Sequence, residues 1–331
     1  MTSTIETIVI DAGGRYGLHP TWKSFSGELH YYLFEPDVIE AQRLKKKYAN
    51  RYSEVTIVDR ALMDIECTTR LFLFHNRAMS SFKKRNPISV SFRGERKSEE
   101  NIIDYRDVKA TTIDSFCTQK GMVVDFLKVD TEGTEYLVLL GAMEQLKKNI
   151  LGVRCEVNFD YIFKDSPLFS EIHNFLLANN FYLLNLSYDG KGDYCNGFVD
   201  TNGKYGILTG CDAVWLKRRN NIFKKYEENG TNAEARILKY AAFCLINNAT
   251  DVAIDVLLEG IRRHGLRLDR LRETRLYRFV DISLHKLFYR LKWQPGQSLK
   301  KNKKIYSEIF GKQLKEMHEY NQSLLFNPDL G

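Results

Sequence analysis

The sequence predicts an α/β fold: a doubly wound, mainly parallel sheet of seven strands followed by an all-helical extension. Three observations carry this. Short β-branched apolar runs alternate with helix-period segments from residue 5 to residue 218, the pattern of a parallel sheet covered by helices. The first run opens into a glycine-rich turn, DAGGRYG at 11–17. Past residue 219 the strand pattern stops and only helical periodicity continues.

Taken in order, IETIVID (5–11) reads as a strand buried on both faces, with HYYLFE (30–35) and EVTIVD (54–59) as the second and third. Between the last two, DVIEAQRLKKKYA (37–49) sets Val38, Ile39, Ala41, Leu44 and Tyr48 at helical spacing. Residues 66–110 read as an insertion. Its LFLFH suits a further strand, and the polar stretch after it reads as a loop over a site. VDFLKVD (124–130) is a buried strand, and TEYLVLLGAMEQLKKN (134–149) is one amphipathic helix. LGVRCEV (151–157), PLFSEIHNFLLANN (167–180) and FYLLNLSY (181–188) continue as strand, helix, strand. A glycine-rich hairpin then leads to DAVWLKR (212–218), expected as an antiparallel edge strand. The division is a sheet domain, 1–218, and a helical domain, 219–331, whose four helical segments include LRLDRLRETRLYRFVDISLHKLFYRLKW.

Composition bounds the function. Residues 219–331 hold 21 of the 49 Lys and Arg but only 13 of the 42 Asp and Glu, so the basic character belongs to the helical third. That charge is read as a solvated bundle face, with an anionic acceptor, peripheral contact with a phospholipid surface or self-association through these helices as the sharper readings. The sheet domain is not basic and no aromatic-interleaved basic stretch occurs, so no nucleic-acid partner is expected. No apolar run is long enough to span a bilayer and no leader pattern is present; Cys67, Cys117, Cys155, Cys195, Cys211 and Cys244 are scattered and suit reduced thiols. A cytoplasmic protein is the expectation.

In a doubly wound sheet, ligands bind beyond the carboxyl ends of the strands. Those ends carry Asp11, Glu35, Asp59, Asp130 and Glu156. A dinucleotide fingerprint would need GxGxxG against a helix N-terminus, whereas here an acid stands two residues before the first glycine. A carboxylate there repels a pyrophosphate and suits a cationic head such as the ammonium and sulfonium of S-adenosylmethionine. Gly13, Gly14 and Gly17 then allow the backbone to approach the ligand. Glu35, at the second strand's end, can accept hydrogen bonds from ribose hydroxyls, and Pro36 starts the next helix.

These residues carry a resemblance to the FkbM family of S-adenosylmethionine-dependent methyltransferases. The family's Asp-x-Gly-Ala-Asn-x-Gly turn matches Asp11, Gly13 and Gly17, with Arg15 where Asn is usual; Phe-Glu-Pro matches Phe34, Glu35 and Pro36. Its longest block matches DFLKVDTEGTEYLVLLGA (125–142), and TTIDSF, AMSS and DAVWLKR also fit. The resemblance implies a class I, Rossmann-like methyltransferase fold and methyl transfer to a hydroxyl oxygen, most often of a sugar or glycan. The cofactor-binding set is then Asp11, Gly13, Gly14, Gly17, Glu35, Pro36, Asp59 and Ala61. Asp130 is the expected base, with Glu132 and His19 as the other catalytic candidates. Asp130, Glu132 and Glu156 could together hold a divalent ion, but no distinct metal spacing marks them and no metal is assigned. The alternatives are a scaffold protein that kept the fold without the chemistry, and an NAD-dependent sugar-modifying enzyme.

Overall fold

The computed structural model describes residues 5–25, 28–49, 54–87, 101–187, 208–229, 233–291 and 299–314. Contacts divide the chain into two compact units. One comprises Glu6–Lys23 with Leu29–Arg218; the other comprises the helices from Arg219 onward with Ile5 and the Ser24–Glu28 segment.

The first unit is built on a seven-stranded sheet of β1 (Thr7–Ala12), β2 (Leu29–Phe34), β3 (Val55–Val58), β7 (Phe126–Val129), β8 (Gly152–Asn158), β9 (Phe181–Ser187) and β10 (Gly210–Lys217), in the order β3-β2-β1-β7-β8-β10-β9. The pairs from β3 across to β8 are parallel. β10 runs antiparallel to both β8 and β9. The expected antiparallel edge strand is therefore corrected: β10 lies inside the sheet and β9 forms the edge. Burial explains the exchange. Ala213–Lys217 are buried throughout, while Asn185 and Leu186 of β9 are exposed, so the chain's last strand has the more apolar faces to cover.

One sheet face packs Ile10, Leu127, Val129, Val153, Cys155 and Trp215 against helices α2 (Ile113–Lys120), α3 (Glu135–Leu140), α4 (Met143–Lys148) and α5 (Phe169–Ala178), while α1 (Val38–Tyr48) follows β2. The single helix expected over 134–149 is in fact α3 and α4, broken at Gly141–Ala142. A Cβ at Gly141 would sit 2.0 Å from the Met63 carbonyl, so the helix surface touches backbone there. Asp114 then caps the new N-terminus, accepting from the Glu144 and Gln145 amides at 2.8 and 3.0 Å.

The insertion is a second, three-stranded sheet of β4 (Ala61–Leu62), β6 (Ile102–Thr111) and β5 (Cys67–Phe74). β6 escaped the periodicity reading because its first four residues are all exposed and only Val108, Ala110 and Thr111 near its end are buried. Leu71, Leu73, Val108 and Ala110 close a small core of their own. Most of the polar stretch (88–100) and the glycine-rich hairpin (188–207), with Cys195, lie outside the described residues.

In the second unit, α6 (Arg219–Asn229), α7 (Ala233–Ile246), α8 (Thr250–His264), α9 (Arg275–Leu291) and α10 (Leu299–Phe310) bury Ile237, Leu238, Ala241, Val256, Leu257, Leu284 and Tyr306. The Arg275 and Leu276 amides at the start of α9 donate to the Glu28 carboxylate at 3.0 and 2.9 Å. The end of the last expected helical segment (315–320) lies outside the described residues. Among the described residues no helix is long and apolar enough to cross a membrane.

Candidate active site

The site forms where β1, β2 and β7 end. The Gly13 and Gly14 amides both donate to the Phe34 carbonyl, at 3.1 and 3.3 Å, and fold the chain back over the end of β2. Gly13 has φ +87°, and a Cβ on it would lie 1.8 Å from the Asp130 carbonyl oxygen. Only glycine permits the turn after β1 to pass this close to the end of β7.

Between these ends lies a small cleft. Phe34, Pro36, Ala61, Leu62, Leu71 and Phe82 supply apolar walls; Glu35, Asp130 and Glu132 supply polar groups. Glu35 is 5% exposed and accepts the Asp37 amide at 2.8 Å. Burial raises its pKa to about 7, against the opposing pull of that amide and of Arg15. The structure thus brings together Gly13, Glu35, Pro36, Ala61, Asp130 and Glu132 of the sequence-expected set.

Four of the expected cofactor residues, Asp11, Gly14, Gly17 and Asp59, do not line the cleft. Asp59 is half exposed and paired with Lys45 at 3.1 Å; Arg60 and Ala61 line the cleft in its place. Gly14 and Gly17 do not line it either: they fit against Leu33 and against the Tyr48 hydroxyl.

Asp11 lies inside the sheet, at the end of β1. It is fully buried, accepting from the Tyr31 hydroxyl and from Lys128 Nζ at 3.1 Å, and it is not part of the cleft wall. Its charge is answered inside the sheet rather than by a ligand. Lys128 lies directly opposite it in the β1–β7 register. Although burial works against the ammonium, Asp11 and Asp130 hold Lys128 charged and raise its pKa. A lysine in FLKV, a strand buried at every position, was the available signal, because a buried ammonium needs a carboxylate partner.

The register continues this arrangement. Arg154 lies beside Lys128, and Glu156 lies beside Asp212, with Arg154 bonded to Asp212 at 2.7 Å. A row of cations, Lys128 and Arg154, therefore backs a row of acids, Asp130, Glu156 and Asp212. Burial raises the Asp130 pKa while Lys128 opposes the rise at 3.3 Å. Burial, then the charges of Glu132 and Asp130, push Glu156 well above the carboxylate range.

Glu132 reaches the same group from a strained turn. Its φ is +58°, rare for a side chain of this size. Glu135 closes that turn by accepting from the Thr131 and Gly133 amides at 2.8 and 3.0 Å. The Glu132 carboxylate takes Arg85 at 2.9 Å, and Arg85 lies 4.1 Å from the centre of the Phe163 ring. Asp130, Glu132 and Glu156 each bring one oxygen within 4.8 Å of the others, with Lys128 and Arg85 already on two of them. His19, the third catalytic candidate, is not a cleft residue. Burial and the charges of Arg154 and Lys128 lower its pKa, which keeps its ring neutral at pH 7.

The family model of the FkbM methyltransferase domain matches residues 11–183, the span that holds the cleft. The chain belongs to the FkbM methyltransferase family. Among solved structures, it is similar to the methyltransferase FkbM of Methylobacillus flagellatus, with 15% identity, a TM-score of 0.37, and coverage of 65% of this chain and 44% of that one. It is also similar to a TehB-like SAM-dependent methyltransferase of Corynebacterium glutamicum (13% identity, 65% and 83% coverage, TM-score 0.29) and to the human methyltransferase 10 domain containing protein (10%, 65% and 72%, 0.31). The chain spans less than half the length of the Methylobacillus protein. None of the curated proteins matches it. For the family's cofactor, S-adenosylmethionine, the residues present fit: a close-approach glycine, a buried carboxyl at the end of β2 and an apolar slot lie on one cleft.

Proposed function

We propose that this chain transfers a methyl group from S-adenosylmethionine to a hydroxyl oxygen of a sugar or glycan. The observation that carries the reading is the excess of acids beside the cofactor cleft, with Asp130 on its wall. Glu35 would accept the ribose hydroxyls, and Phe34, Ala61 and Leu62 would enclose the base. When bound, the cofactor supplies an electrophilic methyl on a sulfonium.

The chain's own part is to orient the acceptor oxygen and take its proton. Asp130 does the latter: its raised pKa makes it a stronger base than an exposed aspartate, and Lys128 keeps it ionised. With the cofactor bound, its methyl would pass to the acceptor oxygen and leave the thioether behind, and Asp130 would hold the proton that the hydroxyl gives up. Burial and the neighbouring carboxylates raise the Glu156 pKa, which favours its neutral form and so limits the repulsion around Asp130. Arg85 holds Glu132 at the edge of this group, beside Asp130.

Methyl transfer from labelled S-adenosylmethionine to pooled nucleotide-sugars, lipid-linked glycans and polysaccharides tests the reading. Label in a base-stable ether is the expected result. Binding of S-adenosylhomocysteine with no transfer to any pool would favour the scaffold alternative, and preferential NAD binding would overturn the assignment.

A further inference from the structure

The guanidinium groups around Asp37 outnumber the charges they neutralise. Asp37 is 2% exposed, and its carboxylate receives Arg77 at 3.0 Å and Arg106 at 2.9 Å, with Arg15 at 3.6 Å. Arg15 also lies 3.7 Å from Glu40, which Arg43 already clasps through its Nε at 2.9 Å. Four cations thus face two carboxylates. Glu35 next to them titrates at about 7, so it offsets only part of the excess near neutral pH. Arg60, a further cation, lines the same cleft together with Arg15 and Arg77.

The cluster is assembled from distant parts of the chain. Arg15 comes from the glycine turn, Arg77 from the turn after β5 and Arg106 from β6 of the insertion. Each offers five N–H donors, of which Asp37 and Glu40 occupy one or two. Arg15, Arg77 and Arg106 are each only about a quarter exposed. At such positions their mutual repulsion is weakly screened, and an anion of more than one charge relieves it. The planar fork of a guanidinium matches phosphate oxygens in pairs.

We propose that Arg15, Arg77 and Arg106 form a receptor for a phosphate or pyrophosphate group carried by the acceptor. The inference rests on methyl transfer to a sugar and narrows its substrate class to activated sugars, joined through phosphate to a nucleoside or to a lipid. Arg77 and Arg106 belong to the insertion, while Arg15 and Arg77 line the cleft that holds Glu35, so an anion seated on all three lies where the insertion borders that cleft. The carboxylate of the cofactor's amino-acid end is the rival occupant.

The test is calorimetric titration of inorganic pyrophosphate into the full chain saturated with S-adenosylhomocysteine. Expected are salt-sensitive binding at one site, weakening of at least tenfold in Arg106→Gln and in Arg77→Lys, and S-adenosylhomocysteine affinity within threefold of the unmodified chain. Arg77→Lys keeps a cation opposite Asp37 and so keeps the fold should Arg106→Gln lose it. Absence of pyrophosphate binding, or binding that neither variant weakens, overturns the receptor. Equal weakening of S-adenosylhomocysteine assigns the arginines to the cofactor's carboxylate and also overturns it. Should S-adenosylhomocysteine itself not bind, the methyltransferase reading fails separately, and pyrophosphate titrated into the unliganded chain still reads the arginines. A nucleoside diphosphate and a prenyl diphosphate, compared in the same format, separate the two sources of the group.

Discussion

The cleft has two differently charged borders. Around Asp37 the cations are in excess: Arg15, Arg77 and Arg106 converge on one buried carboxylate. Along β7 and β8 the acids are in excess: Asp130, Glu132, Glu156 and Asp212 face Lys128, Arg85 and Arg154. Both borders are partly shielded from solvent, so both imbalances are less screened than they would be on an open surface. Their signs divide the work. An excess of guanidinium holds an anion without changing protonation, because arginine keeps its charge. An excess of carboxyl raises carboxyl pKa values and creates groups able to exchange a proton near neutral pH.

The strongest way to break this division is at Asp130. Asp130→Asn is expected to lower single-turnover methyl transfer by roughly a hundred- to ten-thousandfold, the usual contribution of a positioned base, while S-adenosylhomocysteine affinity by calorimetry changes less than threefold. Loss of both would make Asp130 a structural residue. Next in size is Gly13→Ala. The added methyl would lie 1.8 Å from the Asp130 carbonyl, and a destabilisation of about 3 kcal/mol or more in urea melts is expected.

Glu35 sharpens the comparison because it lies between the two borders. Its carboxyl titrates at about 7 in the folded chain, against 4.5 as the ordinary value. Between those pH values the folded chain binds more protons than the unfolded chain, so this group makes stability fall as pH rises from 5 to 8. The fall amounts to at most about 3 kcal/mol. Glu35→Gln should flatten that part of the profile in pH-resolved thermal melts; an unchanged slope would place the titration elsewhere. Glu35→Ala should weaken S-adenosylhomocysteine more than tenfold, about 1.4 kcal/mol. Smallest is Asp59→Ala. Its carboxylate meets Lys45 on the surface, so a stability change below about 1 kcal/mol and under twofold in cofactor affinity are expected.

The same contrast explains what the sequence could tell. IVID, FLKV and VRCEV are legible as strands because parallel strands are buried on both faces and read as apolar runs. The acids at their ends are legible by position alone. What an acid faces is not. Asp11 and Lys128 are separated by 117 positions and Asp37 and Arg106 by 69, so the partner that neutralises one carboxylate, or overloads another, emerges only with the strand register. The break between α3 and α4 was hidden for the same reason, since Gly141 there meets the carbonyl of the remote Met63, just past the end of β4. β6 was hidden differently: a strand whose first half faces solvent has no apolar alternation to show.

The buried pair of Asp11 and Lys128 also bears on how such a chain can change over generations. Removing either partner leaves the other as an uncompensated internal charge, at a cost of about 3–5 kcal/mol, whereas replacing both by apolar residues of similar volume is often neutral. A folded domain holds only about 5–15 kcal/mol of net stability. Both end states are therefore habitable, but the single-substitution path between them runs through a chain with little stability left. The pair acts as a ratchet: once acquired it is kept, whether or not a ligand ever touches it.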